Sequence, residues 1–295
     1  MALKQFQSPP LTLRTSTHAV LGVFAALYLC FTLLLTNLTQ MLSLFVLPFS
    51  RKHFREINRA CARSWWGSCI KFLKHFHRMQ FNFSGDILPQ KENALLIVNH
   101  QGMADVFPLL VLAEQQGSLG NLKWFVKDVI KYIPGLGWGM VFLDCIFVKR
   151  SWNRDQDRIQ RTFARFKKAQ IPIWLVSFVE GTRITPEKLK KSQAYSQSKG
   201  MPVLQHCLIP KTKGFVASIH GLSDSISAVY DVTLIYRQGV PSPLQLILGQ
   251  FKEFEVVVKR TAVQDLPTSP DQLSQWLMDR YLEKDHLIAA SPSLL

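Results

Sequence analysis

Short apolar runs that stop at polar turns recur along the middle of this chain. The plainest is Ala94-Leu95-Leu96-Ile97-Val98, closed by Asn99-His100-Gln101-Gly102. A run of that length bounded by turn residues predicts a buried strand. Lys123–Val126, Val141–Val148, Ile173–Val179, Asp231–Tyr236 and Phe254–Val258 are predicted strands on the same ground, with a Pro134-Gly135-Leu136-Gly137 turn between the first two. Elsewhere the period changes to that of a helix. Ala104–Ala113 predicts one, with Pro108 in its first turns. Trp152–Lys168 predicts another, with Ile159, Phe163 and Phe166 on one face and Arg154, Arg158, Arg161 and Arg165 on the opposite face. Ser269-Pro270-Asp271-Gln272 opens a last helix, with a Ser cap, Pro at the first position and Gln reaching back. The polar stretches at 186–200 and 239–243 read as surface excursions. Strands alternating with helices predict an α/β fold, a mainly parallel sheet flanked by helices.

The N-terminal part has another pattern. Residues 15–50, 36 positions in a row, contain no Asp, Glu, Lys or Arg. A membrane-spanning helix needs about 20 apolar residues, and no small-residue cleavage site marks a signal peptide. Thr36-Asn37-Leu38-Thr39-Gln40 interrupts the run, which fits one long tilted helix or a re-entrant pair of half-length helices. Residues 51–78 then carry eight Lys and Arg against Glu56 alone, interleaved with Trp65, Trp66, Phe72 and Phe76. That make-up suits a helix in the headgroup layer. Three regions follow: a membrane segment at 1–50, a basic, aromatic interfacial region at 51–85, and an α/β domain at 86–290. Arg51, Lys52, Arg55, Arg59 and Arg63 outweigh Lys4 and Arg14, which places the downstream side in the cytosol.

Composition sharpens the choice of partner. Among 295 residues, 35 Lys and Arg against 20 Asp and Glu leave a net charge of +15, so an anionic partner is expected. Beside a membrane segment, an anionic lipid surface accounts for the charge more simply than nucleic acid does. The five cysteines (Cys30, Cys61, Cys69, Cys145 and Cys207) form no CxxC and no pairing with His. A disulfide framework and a zinc site are therefore not expected, and the setting reads as reducing.

Candidate chemistry sits where the strands end. Asn99-His100 is followed five positions on by Asp105, and an imidazole beside a carboxylate is the minimum equipment of a general base. Ligands in open α/β sheets collect at such strand ends. A second strand runs into Glu180-Gly181-Thr182-Arg183, and a third into Lys149-Arg150. Arg183 offers a planar fork matched to phosphate oxygens. Together these groups imply a phosphorylated substrate with a hydroxyl to be deprotonated. His206 and His220 have no partner pattern and read as structural. Lys211 and Lys213 fit phosphate contacts and plain surface lysines equally well.

Asn99-His100-x4-Asp105 followed in order by Glu180-Gly181-Thr182-Arg183 resembles the glycerophospholipid acyltransferases, and within them the 1-acylglycerol-3-phosphate (lysophosphatidic acid) acyltransferases. Leu208-Ile209-Pro210-Lys211-Thr212-Lys213-Gly214-Phe215 and Ala228-Val229-Tyr230-Asp231-Val232-Thr233 are similar to the eukaryotic endoplasmic-reticulum branch. The resemblance covers about residues 90–285. It implies transfer of a fatty acyl group from acyl-CoA to lysophosphatidic acid, with His100 as base and Asp105 orienting it. Glu180, Gly181, Thr182, Arg183, Lys149 and Arg150 would then bind or position the acceptor. No cofactor and no metal are implied, acyl-CoA being a co-substrate, and the absence of a GxSxG elbow agrees with a route lacking an acyl-enzyme. The implied location is the endoplasmic-reticulum membrane with the catalytic domain in the cytosol. Another lysophospholipid acceptor and a non-catalytic lipid-binding scaffold are the alternatives. The chain departs from the family pattern at Val179, where Pro is frequent, and at Asp144, where Gly is usual.

Overall fold

The computed structural model of the chain describes residues 5–9, 13–149 and 151–291. Arg150 lies outside the described residues. The N-terminal run forms one continuous helix, α1 (Leu13–Leu42), so the two half-length helices are not what this sequence makes. The polar interruption does not break it because its hydroxyls return to the helix: Thr32, Thr36 and Thr39 donate to the carbonyls of Leu29, Thr32 and Leu35. Asn37 donates to Gln40, and both are buried. Ser50 then caps α2 (Arg51–Lys71) by accepting from His53 N. Helix α2 runs back along α1: Asn58 donates to Ser43, and Trp65 Nε1 to the carbonyl of Leu29. Trp66 is buried in the protein core with Ala62 and Ile70, so this part of the aromatic set faces inward rather than towards headgroups.

The chain continues through β1 (Gln80–Gly85), β2 (Ala94–Val98), α3 (Val106–Gln115), β3 (Leu122–Lys127), α4 (Leu136–Phe142), β4 (Ile146–Val148), α5 (Trp152–Lys168), β5 (Trp174–Ser177), α6 (Pro186–Ser198), α7 (Thr212–Leu222), β6 (Ala228–Ile235), α8 (Pro243–Ile247), β7 (Glu253–Ala262) and α9 (Pro270–Ala290). The seven strands form one sheet in the order β1-β7-β6-β2-β5-β3-β4. All neighbours are parallel except β6 and β7. Every residue of β2 is buried, as a central parallel strand covered on both faces must be. The period of two divides the core: Ala94, Leu96 and Val98 pack on one side with residues of α2 and α3, and Leu95 and Ile97 on the other with residues of α5, α7 and α9.

Three sequence expectations change. The predicted strand Val141–Val148 is two elements: Val141 and Phe142 close α4, and only Ile146–Val148 pairs with β3. An apolar run of this length does not by itself distinguish a short helix from a strand. The stretch at 186–200 is the helix α6, capped by Thr185 with Pro186 in its first turn. The edge strand β1 falls inside the region expected to be interfacial, and it pairs with β7.

Asp144 stands at the turn between α4 and β4 with φ 58°, in the left-handed region. This explains why glycine would be usual there and what aspartate supplies instead. Its carboxylate binds Arg55 of α2 at 3.3 Å and Arg165 of α5 at 3.0 Å, tying the N-terminal hairpin to the domain. An alanine would keep the backbone strain and lose both ion pairs; a glycine would lose the pairs and relieve the strain. We expect Asp144→Gly to be more stable than Asp144→Ala by about 1 kcal/mol, as read from denaturant unfolding in detergent.

Candidate active site

The parallel strands β2, β5 and β3 end at one edge of the sheet, and the predicted motifs meet there. Asn99, directly after β2, clamps to β6 with its side chain: Nδ2 donates to the Leu234 carbonyl, and Oδ1 accepts from Leu234 N. The chain then turns, and Met103–Asp105 winds into a single tight turn that brings the Asp105 carboxylate back over the loop. Its Oδ2 accepts from Gln101 N at 2.7 Å, Gly102 N at 3.0 Å and His100 Nδ1 at 2.9 Å. Asp105 is fully buried, whereas the His100 side chain is 15% exposed. With Nδ1 committed to the carboxylate, Nε2 is the nitrogen left for a substrate proton. The imidazole lies against the Phe178 ring, with centroids 4.0 Å apart and planes inclined by 18°.

The second motif holds the first by its backbone. Glu180 is buried; its Oε1 accepts from His100 N at 2.9 Å and its Oε2 from Leu208 N at 3.2 Å. Ile184 N in turn donates to the His100 carbonyl at 2.9 Å. Glu180 thus braces the loop rather than facing the substrate. Gly181 has φ 74°, and the Lys211 side chain runs across it so closely that an added Cβ would meet Nζ at 2.9 Å. The positive φ favours glycine there, and its lack of a side chain leaves room for Lys211 to cross. Lys188 Nζ donates to the Thr182 hydroxyl at 2.7 Å and to the Arg183 carbonyl at 3.0 Å. The Arg183 side chain is exposed. Phe178, Gly181 and Lys211 also line a groove of about 540 Å³ whose far wall includes Trp152 and Ile159 of α5.

Of the sequence-predicted residues, His100, Asp105, Glu180 and Gly181 share one network, with Thr182 and Arg183 beside it. Lys149 does not join it: β4 stands three strands from β2, on the order of 14 Å away. Its side chain is exposed there, and its amide donates to Asp155. Lys211 belongs to the site. His206 and His220 are remote from the ring of His100 in their bonding, the former through its amide to Asp285 and the latter to the Thr268 carbonyl.

Sequence reasoning missed Tyr236. Its hydroxyl donates to Asp105 Oδ1 at 2.6 Å, so the carboxylate is satisfied on both oxygens. Burial, and then the charge of Asp105, push the phenol well above its ordinary value, which keeps it a donor. The residue ends a predicted strand beside β2, and the strand-end argument that picked out His100 applies equally to it. Also missed were Tyr281, Lys284 and Asp285 of α9. Tyr281 donates to the Val98 carbonyl. Lys284, fully buried, donates to the Val232 carbonyl at 2.6 Å and pairs with Asp231, whose carboxyl is raised by burial. Asp285 accepts from the amides of Gln205, His206 and Cys207. Nothing in the local sequence distinguishes these residues from a solvated helix face.

The three buried cysteines are not poised as nucleophiles. All five are free, and burial pushes the Cys69 and Cys145 thiols up to about 12 and about 11 and the Cys207 thiol well above its ordinary value.

This fold and this pair of interlocked motifs define an acyltransferase domain. Residues 80–226 match the family described as Acyltransferase, and residues 245–290 the one described as Acyltransferase C-terminus. The chain is 34% identical over 259 residues to 1-acyl-sn-glycerol-3-phosphate acyltransferase 3 of Arabidopsis thaliana, covering 85% of this chain and 69% of the relative. It is 32% identical over 276 residues to 1-acyl-sn-glycerol-3-phosphate acyltransferase gamma of Homo sapiens, covering 92% and 73%. The crystal structure of the 1-acyl-sn-glycerophosphate (LPA) acyltransferase PlsC from Thermotoga maritima superposes with a TM-score of 0.55 at 16% identity, over 95% of this chain and 98% of that one, which establishes the shared fold. The chain belongs to the 1-acyl-sn-glycerol-3-phosphate acyltransferase family.

Two outcomes test the network. Burial holds the Glu180 carboxyl up at about 8 despite two backbone N–H groups that favour its charge, against about 4.3 in an unfolded chain. With the folded value raised, its stabilising contribution is complete below about pH 4.3 and is lost as pH rises through about 8. Thermal midpoints measured between about pH 5 and 9 should therefore fall less steeply in Glu180→Gln than in wild type. Tyr236→Phe should lower kcat about tenfold, the loss of roughly one hydrogen bond to a charged group, with KM for the acyl donor unchanged in steady-state kinetics.

Proposed function

We propose that the chain is a membrane-bound, acyl-CoA-dependent acyltransferase that converts 1-acyl-glycerol-3-phosphate to phosphatidic acid. The observation that carries this reading is the His100 Nδ1–Asp105 Oδ2 contact of 2.9 Å, set beside the Glu180–Arg183 loop. The relatives named for this reaction support the acceptor.

In the proposed reaction, His100 Nε2 takes the proton of the acceptor's hydroxyl as that oxygen attacks the thioester carbonyl. The tetrahedral adduct collapses with loss of the CoA thiolate, which takes the proton back from the imidazolium. The thioester is already activated, so neither an acyl-enzyme nor a cofactor is needed. Asp105 holds the ring in one tautomer and stabilises the imidazolium as it forms, the part a carboxylate plays in hydrolase triads. Arg183 takes the acceptor phosphate, and Lys211, ahead of α7, adds a cation across Gly181 of the same loop. Lys149 contributes to the field from farther along the edge, and Arg150 is the remaining candidate for the phosphate.

The product carries two acyl chains, and each methylene withdrawn from water contributes about 0.8 kcal/mol, so it is best delivered to a bilayer. α1 suits that placement: Ala19–Phe45 is long and apolar enough to cross a membrane, and few residues of its most apolar stretch are buried by the rest of the protein. The reading places the enzyme in the endoplasmic-reticulum membrane with its catalytic domain in the cytosol, supported by the positive charge downstream of α1 and the free cysteines.

His100→Ala should lower turnover of labelled acyl-CoA with lysophosphatidate by 10² to 10⁴, roughly the worth of a positioned base, while leaving vesicle flotation unchanged. Arg183→Ala should raise KM for the phosphomonoester acceptor far more than KM for acyl-CoA; equal losses would remove Arg183 from the phosphate. A wild-type enzyme that turns over only lysolipids with larger headgroups would reassign the acceptor.

A further inference from the structure

Between β3 and β4 the chain exposes Val129, Tyr132, Ile133, Leu136, Trp138 and Val141, from 38% to 70% each. So many large apolar side chains on one short segment do not belong in water. We propose that residues 128–142 form a second membrane-contact element, distinct from α1, whose apolar side chains enter the leaflet while adjoining cations of α5 lie on anionic headgroups. The inference rests on the reading of the chain as a membrane-bound enzyme.

Three observations carry it. The segment is continuous with the apolar surface of α1: an added Cβ at Gly135 would meet Leu33 Cδ2 at 3.0 Å, and one at Gly139 would meet Gln40 Oε1 at 3.6 Å. The α1 side chains Phe31, Leu34 and Leu38 stay exposed nearby in the helix, at 49% to 60%. Charge is placed to match. Val141 borders a groove of about 510 Å³ that Lys131, Arg158, Arg161 and Arg165 also line. The carboxylates there are already shared: Asp128 between Lys131 and Arg158, and Asp144 between Arg55 and Arg165. Five cations thus face two carboxylates, which favours an anionic bilayer over a second copy of the same basic surface. Tyr132 and Trp138 are the residue types that settle at the boundary between chains and headgroups.

The position gives the contact a use. The segment leaves the C-terminal end of β3, and only β5 separates β3 from β2. The segment therefore starts about 10 Å, two strand spacings, from the strand that carries His100. Inserting it turns the catalytic edge of the sheet towards the leaflet, so that a lysolipid reaches His100 without its chain crossing water.

The full chain reconstituted in phosphatidylcholine vesicles, with and without phosphatidylserine, tests this. The Trp138 contribution, taken as the difference between wild type and Trp138→Phe, should be quenched by lipids brominated on the acyl chains, and more so with phosphatidylserine. Ile133→Asp combined with Val141→Asp, both at exposed positions, should raise KM for vesicle-borne acceptor about tenfold and leave kcat on a short-chain, water-soluble acceptor unchanged. Protein that floats with vesicles while Trp138 stays unquenched would overturn this inference alone. The same quenching result with a detergent-soluble dimer that the double variant abolishes would assign the patch to self-association. Failure of the protein to float at all would overturn the membrane reading and this inference together.

Discussion

His100 is held at its backbone before it is held at its ring. Glu180 accepts its amide, Ile184 donates to its carbonyl, and Asn99 just before it is pinned to β6. Only then does the Asp105 contact fix the imidazole. The arrangement places a carboxyl group where no water reaches, and burial pushes the Glu180 carboxyl up to about 8. A buried carboxylate without a cation costs several kcal/mol; a neutral acid that still accepts two N–H bonds costs much less. The Glu of the second motif is therefore a brace shared between the two motifs, and the loop bearing Arg183 is registered against the base through it.

The brace has its own support. Leu208, the second donor to Glu180, follows a loop whose three preceding amides converge on Asp285 of α9. On the same helix, Tyr281 holds the carbonyl of Val98 at the end of β2, and Lys284 holds that of Val232 within β6. Helix α9 thus sets both the strand that delivers His100 and the loop that supports Glu180. This gives a physical reason for the C-terminal region to accompany the catalytic one: without it, three amides and a strand end would be left without partners, and buried unmet groups cost about 1–3 kcal/mol each.

At the other end of the chain, the α1–α2 hairpin is part of the fold as well as a membrane element. Trp66 and Ile70 belong to the core on one face of the sheet, and Arg55 reaches Asp144 at the mouth of β4. The left-handed backbone at Asp144 is tolerated because its carboxylate joins α2 to α5. A residue that departs from the family's usual glycine is thereby put to structural use, without touching the reacting groups.

Much was legible in the sequence because it is local. The apolar run Ala94–Val98, the His-x4-Asp spacing and the Glu-Gly-Thr-Arg turn specify a buried strand, a dyad and a glycine-dependent loop through neighbouring residues alone. The period of α5 and the cap of α9 are local in the same sense. Where local signals conflict or fall silent, the tertiary structure decided. The run 141–148 is apolar in either a helix or a strand, and only pairing with β3 settles where β4 begins. The Thr36–Gln40 interruption is polar in any helix, and it stays continuous because its polar side chains bond back within α1. Tyr236, Tyr281 and Asp285 reach the site across separations of more than 75 residues from their partners Asp105, Val98 and the 205–207 loop. The sequence by itself determined which groups could do the chemistry. The fold decided which of them meet, because a hydrogen bond depends on distance in space and is indifferent to distance along the chain.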